Sequence, residues 1–93
     1  MLMLMLKVSP IPKIGSRRTG SLEATYEQIT DRVGEPNTTH LDDPGKVRAS
    51  WGFRSEDGRE AFIWCYKQSN PKGCKWWSTD GDQSLIKDLF WWN

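Results

Sequence analysis

Residues 46 to 54 (KVRASWGFR) alternate without a fault, with Val47, Ala49, Trp51 and Phe53 on one side and Lys46, Arg48, Ser50, Gly52 and Arg54 on the other. A period of two over nine residues predicts a half-buried β-strand, which commits the chain to a sheet with one apolar face. Ser55-Glu56-Asp57-Gly58 then supplies hairpin chemistry, and the β-branched and aromatic run Arg59 to Lys67 reads as the return strand. A loop of two or of four residues predicts the same faces: Trp51 and Phe53 beside Phe62, Trp64 and Tyr66 in an aromatic core. The opposite face is then expected to carry Lys46, Arg48, Arg54, Arg59 and Lys67 around Ser50, Ala61, Ile63 and Cys65.

The flanking segments extend this hairpin. Gln68 to Gly73 reads as a turn and Cys74 to Thr79 as a third strand, in which one of Trp76 and Trp77 must face the core and the other must face away. Asp82 is a good N-cap for a last helix whose Leu85, Ile86, Leu89 and Phe90 form an apolar stripe. Upstream, Leu22, Tyr26, Ile29 and Val33 share one helical face, with Ser21 or Thr25 as cap and Gly34 and Pro36 as terminators. Ser9-Pro10-Ile11-Pro12 reads as a linker, because each proline removes a backbone donor and restricts its predecessor. Ile14 to Ser21 is expected to be a loop, and Met1 to Leu6 either an apolar strand running into Lys7 and Val8 or a start without order. The expectation is one small α+β domain in the order β-α-β-β-β-α, an antiparallel sheet with two helices on one face. Residues 1–21 would form an N-terminal strand and basic arm, and residues 22–93 the domain.

With 13 Lys and Arg against 12 Asp and Glu the net charge is +1, which argues against both an acidic nucleic-acid mimic and a uniformly basic coat. Locally the balance is uneven. The chain up to Leu22 holds four cations and no anion, residues 23–45 hold six acids and one Arg, and residues 46–79 hold seven cations and three anions. The opening apolar run of six is far short of the roughly 20 residues that span a bilayer. Two cysteines at Cys65-x8-Cys74 match no zinc spacing, since His40 is the only histidine, so a reduced, cytoplasmic chain is expected. Isolated strand cysteines are ordinarily small buried hydrophobes; the sharper alternative is a redox pair across the turn.

Motifs of catalysis are missing. His40 beside Thr39, Asp42 and Asp43 is a turn rich in short polar residues, and there is no phosphate-binding glycine loop or nucleophile elbow. No enzyme, metal site or cofactor is therefore expected. The binding candidates are Arg17 and Arg18 on the arm, Lys46, Arg48, Arg54 and Lys67 on the sheet, and Trp91 and Trp92 at the end of the last helix. Cations of this kind suit an acidic partner surface or nucleic-acid phosphates, whereas exposed Trp beside Arg suits a protein partner or a homodimer. The α-β-β-β-α order is also that of double-stranded RNA-binding domains, but their basic cluster at the last helix is replaced here by Asp80-Gly81-Asp82-Gln83-Ser84.

The helix ending Val33-Gly34-Glu35-Pro36, the acidic turn, Lys46-Val47 leading to Trp51-Gly52-Phe53, the Asp57-Gly58 hairpin, Ile63-Trp64-Cys65-Tyr66-Lys67 and Trp77-Ser78 together resemble small accessory proteins of tailed bacteriophages. The likeness spans Tyr26 to Phe90, and its helix-then-sheet order also resembles the half-repeat of the β-lactamase-inhibitor-like fold. The resemblance implies a non-enzymatic protein acting in the host cytoplasm that binds and blocks a host defence or regulatory complex, as anti-CRISPR proteins do. Nucleic-acid binding through the basic face and arm is the alternative.

Overall fold

In a computed structural model the chain is described over residues 7–11, 18–37, 47–66 and 73–90; for 47–49 and 66 the description is of backbone alone. Five strands and two helices follow one another as β1 (Val8–Pro10), β2 (Gly20–Glu23), α1 (Tyr26–Val33), β3 (Val47–Ser55), β4 (Glu60–Tyr66), β5 (Trp76–Gly81) and α2 (Gln83–Leu89). They form one antiparallel sheet in the order β1-β3-β4-β5-β2. The α+β expectation holds, with one more strand than the sequence pattern indicates.

That strand is β2. Leu22 falls on the helical stripe of Tyr26 and Ile29, yet its backbone is extended and pairs with Trp77, because the edge of β5 offers ladder partners from Thr79 to Trp76. The helix therefore starts later, at Thr25, whose hydroxyl accepts from the Gln28 amide at 3.0 Å while Gln28 Oε1 accepts from the Thr25 amide at 2.8 Å. Gly34 ends it, at φ 87. The boundary expected between Ser21 and Leu22 falls inside β2. The supposed linker is also partly sheet: Val8, Ser9 and Pro10 pair with Ser55, Arg54 and Phe53 as an edge strand, a position that tolerates proline.

The largest correction concerns the hairpin. Ser55 and Arg59 face each other across a loop of three residues, the Ser55 amide donating to Arg59 O at 2.9 Å and the Gly58 amide to Ser55 O at 3.0 Å. Gly58 supplies the left-handed residue, at φ 89, that closes such a loop. An odd loop shifts the pairing by one and so turns the return strand over. Trp51 lies opposite Ile63 and Phe53 opposite Ala61, while Gly52 lies opposite Phe62 and Ser50 opposite Trp64. Ala61, Ile63 and Cys65 are the core residues of β4; Phe62 and Trp64 belong to the other face, where Trp64 is nevertheless buried. The even alternation of β3 is itself broken by a register shift between Val47 and Ser50.

Both helices cover the face bearing Trp51, Phe53, Ile63 and Trp77. Ile29 from α1 and Leu85, Ile86, Leu89 and Phe90 from the α2 region are buried in the same cluster. Asp82 caps α2 as expected, accepting from the Ser84 and Leu85 amides. On β3, the stretch that β1 leaves unpaired is satisfied from elsewhere. The Asn37 side-chain oxygen accepts from the Gly52 amide at 2.9 Å and its amide donates to Ile11 O, while the Ile11 amide donates to Gly52 O at 2.9 Å. Gly52 has to be glycine here, since a Cβ would stand 2.7 Å from Ile11 O.

Cys65 and Cys74 are joined as a disulfide, Cα to Cα 6.5 Å, rather than sitting as separate buried thiols. The spacing is compatible with a pair, and the antiparallel pairing of β4 with β5 sets the end of one beside the approach to the other. Closing a loop this short restricts the unfolded chain by an amount worth on the order of 2 to 3 kcal/mol.

Candidate interaction face

The sheet face away from the helices is built by alternation and register. Trp77 of β5 is fully buried in the core and hydrogen-bonds through its indole N–H to Ala24 O at 2.8 Å. The next residue up the strand must then project oppositely, and Trp76 does so with 64% of its surface exposed. It is the one large apolar side chain left exposed among the described residues. Of the two tryptophans in this pair, then, the sequence expectation of one in and one out is met.

Around Trp76 the same face carries Glu23, directly across on β2, then Ser21, Ser78 and Asp80, with Phe62 half-buried on β4. Farther across stands Arg54 on β3, an exposed side chain whose guanidinium pairs with Glu60 opposite it, Nε to Oε2 2.7 Å. Arg54 is the one expected sheet cation described to its tip on this face, and its charge is answered by a carboxylate. Arg59 leaves the face altogether. The three-residue loop turns it toward α2, where it binds Asp57 (2.9 Å), Asp88 (2.9 Å) and the Ser84 hydroxyl (3.1 Å).

This second cluster has its own electrostatics. The carboxyl of Asp57 accepts from the Ser55 hydroxyl and from Arg59, which hold it down to about 2 from its ordinary 3.8. The same pairings push the Arg59 guanidinium further toward its charged form. Hydrogen bonds from Ser84, ahead of those from the α2 amides, lower the Asp82 carboxyl as well. These groups staple the β3–β4 turn to both ends of α2, at Ser84 and at Asp88.

Of the remaining candidates, Arg18 is exposed and, with Thr19, Gly20 and Ser21, lines a shallow hollow at the start of β2. Arg48 lies in β3 at its irregular end. Arg17, Lys46, Lys67, Trp91 and Trp92 lie outside the described residues, as do His40 and Met1 to Leu6. A second hollow of about 230 Å³ is lined by Glu23, Ala24, Thr25, Gln28 and Lys75, where the Thr25 and Gln28 side chains each already accept from the other residue's backbone amide. Among the described residues no group of three or more His, Cys, Asp or Glu side chains is placed to hold a metal ion, and no helix is long and apolar enough to cross a membrane.

Two parts of this site were not what the sequence favoured: the disulfide at its border, which stood there as the alternative to separate buried thiols, and the ion pairs of Arg54 and Arg59. The first was legible only as a spacing. The second depends on loop parity and on Asp88, 29 residues from Arg59. Comparison with protein-family models, with curated proteins and with solved structures finds no match.

Proposed function

We propose that this chain is a non-enzymatic interaction protein whose helix-free sheet face docks on a protein partner, with Trp76 as the anchor. The observation that carries the reading is the exposure of Trp76 beside a buried Trp77. A side chain of that size left in water costs solubility, and desolvating it in a partner's pocket recovers the loss; Trp is enriched among the few residues that dominate interface energies. A flat, mixed surface of Ser21, Glu23, Ser78 and Asp80 around it supplies the polar rim such anchors use. The resemblance to phage accessory proteins gives this a biological form: a stoichiometric inhibitor that occupies a surface of a host defence or regulatory complex in the cytoplasm.

Nucleic-acid binding through the same face draws less support. Arg54 is paired with Glu60 and Arg59 with Asp57 and Asp88, so neither guanidinium is free to neutralise phosphate without giving up a carboxylate. Co-purification from the host cell followed by mass spectrometry identifies the partner, and Trp76→Ala tests the anchor. The variant should keep its thermal midpoint and lose at least about 30-fold in affinity, the scale of an interface hot spot. Full binding by Trp76→Ala, or an affinity that collapses steeply with salt, overturns the reading in favour of another surface or of phosphate contacts.

A further inference from the structure

We propose that Cys65–Cys74 is a reversible dithiol–disulfide pair that controls the border of the Trp76 face, an inference that rests on the interaction reading above. The argument starts from the ladder. β4 and β5 pair from Ala61↔Gly81 to Trp64↔Ser78 and no farther, although both strands continue toward Cys65 and Trp76. Where the hydrogen bonds stop, the covalent bond takes over, joining the end of β4 to Cys74, two residues before Trp76. On its other side this stretch is held by the four-residue edge strand β2, through Glu23↔Trp76 and the Ala24 amide on Lys75 O at 3.0 Å. Among the described residues, the segment Cys74–Trp76 is therefore tied to the body of the sheet by the disulfide and to an edge strand by a short ladder.

Both oxidation states are chemically accommodated. Cys65 is 1% exposed among Ile63, Trp77 and their neighbours, a setting where a neutral thiol packs as a small apolar group. Cys74 Sγ sits 3.1 Å from Trp76 O. A disulfide sulfur has no hydrogen to donate there; a thiol has one. Reduction thus exchanges a covalent tie for a weak S–H···O hydrogen bond at the same place. Trp77 stays anchored by its N–H on Ala24 O and its edge-on contact with Trp51. The change is confined to the border and leaves the core intact.

The step balances with a cellular dithiol as reductant. Its thiolate attacks Cys74 Sγ, the sulfur of the less buried cysteine, forming a mixed disulfide and expelling Cys65 as thiolate, which takes up a proton. The reductant's second thiol then attacks its own sulfur and releases Cys74 as a thiol. The reductant leaves as a cyclic disulfide and this chain holds two thiols.

Hydrogen exchange of the full chain, oxidised and after reduction with dithiothreitol, tests the device. After reduction the 74–77 amides should exchange at least about tenfold faster than those of Trp51, Phe53 and Ile63, whose protection falls by no more than the roughly 100-fold that loss of the cross-link costs the whole fold, the signature of local rather than global opening. A Cys65→Val/Cys74→Ala chain should behave as the reduced form. Equal exchange at 74–77 and at those core amides after reduction, or no change at 74–77, overturns the proposal. With the co-purified partner, the oxidised form should bind at least about fivefold tighter than the reduced form. Equal affinities overturn redox control and leave the interaction reading standing; binding by neither form defeats that reading and leaves exchange alone to judge the pair.

Discussion

Trp51 and Trp77 meet edge to face, ring centroids 5.2 Å apart, and their two indole N–H groups reach the backbone at opposite ends of α1: Trp51 to Gly34 O and Trp77 to Ala24 O, each 2.8 Å. The aromatic pair thus does two tasks, filling the core and holding the short helix at both termini. Tyr26 adds a tilted ring contact to Trp51 at 5.7 Å from the helix itself, with its hydroxyl pushed up by burial first and by Glu35 second.

Trp51→Ala should accordingly cost about 3 to 5 kcal/mol, the range for a large aromatic truncated in a core. Trp77→Phe keeps most of the volume but orphans Ala24 O, and should cost about 1 to 3 kcal/mol. Urea denaturation of the two variants checks both values.

Three glycines separate strain from collision. Gly58 has φ 89 and open space where a Cβ would go, so Gly58→Ala should cost only the left-handed backbone penalty of about 1 to 2 kcal/mol. Gly81 has φ 87, and a Cβ there would stand 2.5 Å from Glu60 O and 2.9 Å from Ala61 Cα. Gly52→Ala has no φ penalty and one close contact. Thermal midpoints should fall least for Gly58→Ala and most for Gly81→Ala.

Asn37 is a side chain in the role of a strand. Asn37→Ala strips the Gly52 amide of its acceptor and Ile11 O of a donor, and should destabilise by about 1 to 3 kcal/mol. Asn37→Asp restores the acceptor and loses the donor, so it should fall between the two in chemical denaturation.

The acid limb of the stability curve should report Asp57. Its carboxyl is lowered in the folded chain, so what it contributes is present above its ordinary 3.8 and is lost as pH falls from there through about 2. Asp57→Asn should flatten that limb and lower the neutral-to-alkaline plateau without tilting it, so that the two chains converge toward pH 2. A pH series of melting curves from 2 to 7 compares the two chains.

Local chemistry made the helix ends and the last stripe readable: Gly34 stops α1, Asp82 caps α2, and Leu85, Ile86, Leu89 and Phe90 are buried as their spacing requires. The hairpin faces were not readable, because Asp57-Gly58 suits both a two-residue turn and a three-residue loop with Gly58 left-handed, and one residue of loop inverts every side chain after it. Leu22 satisfies a helical and an extended pattern alike; pairing with Trp77, 55 residues on, decides it. The same distance problem hid Asp88 as a partner of Arg59, which tertiary approach sets and which, with the Arg54–Glu60 pair, answers the two sheet cations described to their tips.

The strand order β1-β3-β4-β5-β2 sends the two earliest strands to the two outer edges of the sheet. During synthesis neither has a neighbour when it leaves the ribosome: β1 waits for Ser55 and its companions, and β2 waits for β5, more than 50 residues on. The sheet can close only after β5 has emerged, and until then Gly20–Glu23 travels as a strand without its partner, open to chaperones and proteases.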